Sequence, residues 1–108
     1  MTETAESVFE EFLEECREDH VGLWRLVRAA QRVLSESTAL QRRELALSLA
    51  RRLLENGMLV GQPTPDGRRF VSWDLPSNAA LERIEREWTA LGREPNIGEV
   101  AWFTSAEA

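Results

Sequence analysis

"LLENGMLVGQPTPDGRRFVSW", Leu53 to Trp73, decides how this chain is built. Leu53 and Leu54 close an apolar helical stripe, and Asn56-Gly57 offers the left-handed position at which helices end. Met58–Gly61 then reads as a short apolar strand. In "QPTPDGR", Pro65 and Asp66 suit the centre of a type I turn with Gly67 after them. Arg69–Trp73 returns as a second strand. The order is helix, strand, tight turn, strand.

Upstream, the helix that ends at Asn56 starts at a capping box, Thr38 with Gln41 three residues on. Leu45, Ala46, Leu49, Ala50, Leu53 and Leu54 form its inward face. Residues 21–34 carry a wide apolar stripe (Leu23, Trp24, Leu26, Val27, Ala29, Ala30, Val33, Leu34), which predicts a central helix. Arg25, Arg28 and Arg32 run along its edge. Residues 5–18 place Ala5, Val8, Phe9, Phe12, Leu13 and Cys16 on one helical face and glutamates on the other. Asp19-His20 marks the corner between these two helices.

Downstream, "DLPSN" leads into a helix over 77–91, with Leu81, Ile84, Trp88 and Leu91 inward and Gly92 at its end. Glu99–Phe103 is a last strand that needs the hairpin as its partner, because an isolated strand leaves backbone groups unpaired. In that strand Val100 and Trp102 share one face, and Ala101 and Phe103 the other. The tail "TSAEA" is expected to fray. The predicted fold class is α+β: about four helices and a three-stranded antiparallel sheet, winged-helix-like, in one domain over 1–108.

Composition fits a soluble globule, with 43% hydrophobic and 30% charged residues. A chain of 108 residues buries roughly 65% of its unfolded surface, enough for one modest core. No apolar run approaches the ~20 residues of a membrane span, and the acidic start lacks the order of a secretory signal. Cys16 is the sole cysteine, so no internal disulfide forms, and a cytosolic setting is the simplest expectation. All thirteen basic residues are arginine; with abundant Ala, Leu and Glu this points to a GC-rich bacterial genome.

Charge is unevenly placed. Residues 1–19 hold eight acids against one arginine, 20–56 three against seven, and 57–108 eight against five, for a net charge of −6. A basic middle lies between acidic ends.

No set of residues fills the roles of a catalytic site. One His and one Cys make no zinc site. Cys16 falls on the apolar stripe, and His20 sits at a helix end. Glycines 57, 61, 67, 92 and 98 belong to turns and helix ends rather than to a phosphate loop. The pairs Glu10/Glu14 and Glu11/Glu15 lie on a solvated face, without an apolar pocket to raise a carboxyl pKa. The chain reads as a non-enzyme without cofactor or metal.

Two binding readings remain. Helix-then-hairpin order, Arg42, Arg43, Arg51 and Arg52 on the third helix, and Arg68 and Arg69 at the wing suit a winged-helix DNA reader. Against it, "TALQRRELALSLARRLLENG" is one uninterrupted helix, and a pI near 4.8 opposes attraction to a polyanion. The other reading is protein binding through Glu10, Glu11, Glu14, Glu15, Glu18 and Asp19. Of the four tryptophans, most belong to the core; Trp73, or else Phe103, is expected to lie exposed as an aromatic anchor.

The stretch "FVSWDLPSNAALERIEREWTALGREPNIGEVAWF" (70–103) resembles a family of small acidic bacterial proteins of unknown function. Their C-terminal half carries a similar "WDL…A-ERIEREW…LGR-PNIGE-AWF" signature, and some are encoded beside contact-dependent toxins. The similarity covers the last half of the chain, the third helix loosely and the acidic first helix hardly at all. It implies an immunity protein that binds and blocks a toxin domain, a basic one given the charge of this chain. No binding residues carry over from it. A second copy, with the arginine edge of one meeting the acidic helix of the other, is an alternative partner; the same two elements, close in sequence, could instead pair within one chain.

Overall fold

Threonines start two of the helices in the computed structural model, which describes residues 3–106. Before α1 (Ala5–Glu18), Thr4 Oγ1 accepts from the Ser7 N–H at 3.1 Å and Ser7 Oγ accepts from the Thr4 N–H at 3.0 Å. Before α3 (Ala39–Glu55), Thr38 and Gln41 make the same exchange, as predicted from the sequence. Each box satisfies two of the amides that a helix start leaves open. Helix α2 spans Leu23–Val33, and α4 spans Ser77–Leu91 and closes at Gly92.

The fold is α+β, with four helices and a four-stranded antiparallel sheet in the order β1-β4-β2-β3. The fourth strand is β1 (Val21–Gly22), which the sequence reading had absorbed into the second helix. It pairs with β4 (Trp102–Ser105), Val21 opposite Phe103. β4 in turn pairs with β2 (Met58–Pro63), Phe103 opposite Val60. The row Val21, Phe103, Val60 is buried and forms the inner face of the sheet. β3 (Phe70–Ser72) is the outer edge and pairs only with β2.

The last strand is displaced from its expected span. Val100 has φ 70°, and the Ala101 N–H donates to the Glu99 carbonyl at 2.9 Å, a tight γ-turn. Positive φ is costly for a β-branched residue, and it stops the ladder from starting at Glu99. The chain enters the sheet at Trp102 and stays until Ser105. Thr104 and Ser105, expected to fray, are strand residues opposite Leu59 and Met58, and both are buried.

Gly61, the end of the expected strand and one of the glycines assigned to turns, lies within β2, which runs on to Pro63. A Cβ there would come 2.0 Å from the Val71 carbonyl oxygen, so the close approach of β3 requires glycine. The turn beyond it is as predicted: the Gly67 N–H donates to the Thr64 carbonyl at 2.8 Å across Pro65-Asp66. From this turn the hairpin curls back, and the Phe70 ring meets the His20 ring with centroids 5.1 Å apart.

α3, rather than α2, is the central helix, packing against α1, α2 and α4. Leu49, Ala50 and Leu53 on α3 share one cluster with Phe9 and Phe12 of α1, Leu26 of α2, Ile84 and Trp88 of α4, and Phe103 of β4.

Candidate functional site

The outward face of α1 follows from its inward one. Val8, Phe9, Phe12 and Cys16 are buried, so residues offset by half a turn face solvent. Glu10, Glu11, Glu14 and Glu18 are exposed there and Glu15 is half-buried. Ser7, Glu10, Glu11, Glu14 and Glu15 line a shallow depression of about 530 Å³.

These carboxylates differ in their partners. Glu15 is gripped by both terminal nitrogens of Arg25, one contact at 2.9 Å, and that bond raises the guanidinium pKa. Glu14 pairs with Arg17 at 2.8 Å, in an exposed contact worth little. Asp19 caps the helix end, its carboxylate accepting from the His20 N–H at 2.7 Å. Glu10, Glu11 and Glu18 are exposed and make no hydrogen bond or ion pair through their side chains with other described residues. Beneath them, burial pushes the Cys16 thiol pKa up to about 12, with Glu15 adding to the rise and Arg25 opposing it. A thiol held protonated is a poor nucleophile.

The arginines of α3 meet a different fate. Arg42 donates to Glu94 at 2.9 Å and to the Ser37 carbonyl at 2.8 Å. Arg43 donates to Thr89 Oγ1 at 2.9 Å and lies over the Trp88 ring. Arg52 pairs with Glu6 at 2.9 Å and lies 3.9 Å from the Phe9 ring centroid. Of the four, Arg51 alone is exposed, without a hydrogen-bond or ion-pair partner among the described residues. The four point in four directions because 42, 43, 51 and 52 fall about 90° apart at ~100° per residue. That arithmetic was available in the sequence; the identity of each partner was not.

The exposed strip of α3 begins with Ala39 and Leu40 and continues through Gln41, Glu44, Ser48, Arg51 and Glu55, polar and of mixed charge after its first two residues. Arg42 and Arg43 tie the start of α3 to the end of α4 and the loop after it, so the turn that would enter a DNA groove is partly occupied. Arg68 and Arg69 lie apart from α3 on the hairpin, both exposed.

The aromatic anchor is not found where it was expected. Phe103 is fully buried, because its position in β4 faces the helical layer. Trp73 is half-buried, its ring N–H is enclosed, and Arg83 covers the ring face at 3.8 Å. The large apolar side chains that do reach solvent are Leu40, Leu59, Val71, Leu75 and Ile97, scattered over separate elements. Among the described residues no helix is long and apolar enough to cross a membrane. No protein-family profile, curated protein or solved structure matches this chain.

Proposed function

We propose that this chain is a cytosolic, non-catalytic binding domain whose acidic α1 face docks a basic protein, as an immunity protein neutralises a toxin domain. The observation that carries the reading is the set Glu10, Glu11 and Glu18, exposed and without a hydrogen-bond or ion-pair partner among the described residues, beside Glu14 and Glu15. The arrangement works against the helix itself. Glu10/Glu14, Glu11/Glu15 and Glu14/Glu18 are like charges one turn apart, each costing a few tenths of a kcal/mol. Glu14, Glu15 and Glu18 also crowd the C-terminal end, where the helix dipole disfavours carboxylates. A binding role accounts for keeping them. A negative surface speeds encounter with a cationic cleft and covers the groups that would hold substrate phosphates.

The test pairs the protein with a basic toxin domain, taken from the neighbouring genes where one is encoded there. The Glu10, Glu11, Glu14 and Glu18 to Gln variant should associate roughly ten- to a thousand-fold more slowly at low salt. The difference should shrink at high salt, and thermal stability should hold or rise. Unchanged association would remove α1 as the docking face.

A winged-helix DNA-binding regulator is the second reading, favoured by one observation: α2 and α3 are joined by a five-residue link and followed by the hairpin. Titration of a random duplex separates the two, since a regulator binds with a steep salt slope.

A further inference from the structure

We propose that the concavity between the curled hairpin and the end of β4 is an oxyanion site that takes a phosphate group, a role independent of the α1 reading. It encloses about 370 Å³, and His20, Leu59, Arg68, Arg69, Phe70 and Thr104 are among its walls. Three observations converge on it.

The first is charge. The chain carries a net charge of −6, and the depressions along α1 and between α3 and α4 each contain glutamate. Among the described residues this one is lined by no carboxylate, and it gathers two arginines and the histidine.

The second is commitment. Arg17, Arg25, Arg32, Arg42, Arg52, Arg83 and Arg93 each hold a carboxylate. Arg28 and Arg43 lie over tryptophan rings. Among the described residues Arg51, Arg68, Arg69 and Arg86 hold neither, although acids outnumber bases in this protein. Arg51 and Arg86 line depressions that they share with glutamates, whereas Arg68 and Arg69 stand together in this one. The nearby Asp66 carboxylate is exposed, and one of its oxygens accepts from Thr64 Oγ1 and from the Arg68 backbone N–H at 3.0 Å. The guanidinium forks are left for an outside acceptor, and two of them suit the several oxygens of a phosphate.

The third is an orphaned hydroxyl. Thr104 is 3% exposed and its Oγ1 has no hydrogen-bond partner among the described residues. The register sets Thr104 beside Leu59, on the face of the sheet opposite buried Phe103 and Val60. That is the face the concavity opens over. A buried hydroxyl without a partner is disfavoured, and an anion oxygen in the concavity would supply the acceptor. The hydroxyl is enclosed, so contact needs a small shift of its neighbours, and the His20 and Phe70 rings are the ones that would report it.

The test follows the His20 ring protons by NMR while inorganic phosphate is added at constant ionic strength. Saturable shifts are expected, and Arg68→Ala with Arg69→Ala should weaken the affinity at least tenfold. Thr104→Val, which keeps the shape and removes the hydroxyl, should weaken it several-fold while the melting temperature holds or rises. Both arginines are exposed, so their variants fold whatever Thr104→Val does. Shifts that follow chloride as well as phosphate, or that survive loss of both arginines, overturn the proposal. Acetate binding as tightly as phosphate overturns the phosphate assignment. A duplex that displaces phosphate with a steep salt slope overturns it in favour of a nucleic-acid clamp.

Discussion

Helices α1 and α3 are the two most charged in the chain, and the structure treats their charges in opposite ways. On α3, Arg42, Arg43 and Arg52 are half-buried, and each is drawn onto an acceptor or ring of a neighbouring element. On α1, Glu10, Glu11 and Glu18 stand in solvent with no hydrogen bond or ion pair to another described residue. The difference follows from position in the helical layer. α3 has neighbours on three sides, so side chains leaving it in most directions meet protein. α1 presents a full face to water. Arginine also has the longer and more amphipathic side chain, and it lies along apolar surface while its head finds an oxygen. Counting charges along the sequence therefore overstates the basic surface and describes the acidic one well.

If α3 is a core helix rather than a reading helix, its inward side should dominate its energetics. Leu53 is fully buried and Leu40 on the same helix is 64% exposed. Leu53→Ala should destabilise the protein by about 2–5 kcal/mol, and Leu40→Ala should stay within roughly 0.5 kcal/mol. Chemical denaturation measures both. Similar losses at the two positions would mean that α3 is not packed as described.

The next effect is smaller and separates a committed arginine from an open one. Arg52→Ala removes a guanidinium 3.9 Å from the Phe9 ring centroid and its contact with Glu6. Glu6 is largely exposed, so the ion pair adds little, and the ring contact is worth about 0.5–1 kcal/mol. Arg51→Ala, with no contact to lose, should fall within roughly 0.5 kcal/mol of zero. Equal effects would erase the distinction between the two kinds of arginine.

Local signals carried much of the fold. The spans of α1 and α4, the Thr38 box and the Pro65-Asp66 turn all depend on neighbours within a few residues, and these were readable. β1 was not, because Val21, Leu23 and Trp24 continue the apolar phase of α2 and a two-residue strand leaves no period to detect. The burial of Thr104 and Ser105 was equally hidden, since small polar residues at a chain end become interior only through the strand beside them. On the candidate face, the exposure of the α1 glutamates followed directly from the helical period. What the period cannot give is which acids are already taken: Arg25 lies ten residues from Glu15, and Arg42 lies 52 from Glu94. The covering of Trp73 by Arg83 is hidden for the same reason.

A carboxylate elsewhere in the chain extends the contrast to a single residue type. Glu99 accepts from Arg93 through both oxygens, at 2.6 and 2.7 Å, and from the Asn96 N–H at 2.7 Å. The guanidinium bond first, and the amide after it, lower the Glu99 pKa to about 2, whereas a carboxylate of the unfolded chain titrates near ~4.3. A group depressed on folding contributes stability above its unfolded pKa and loses it as pH falls toward its folded one. The Glu99 contribution should therefore be complete above about pH 5 and decline from there to about pH 2. Melting temperatures of the wild type and Glu99→Gln, taken across that range, should differ most at its upper end and converge at its lower end. A ¹³C titration of the Glu99 carboxyl gives an independent reading of the same pKa. A constant gap between the two melting curves would mean that the Arg93 contact does not act through charge, and Glu99 would then stand with the unattached acids of α1.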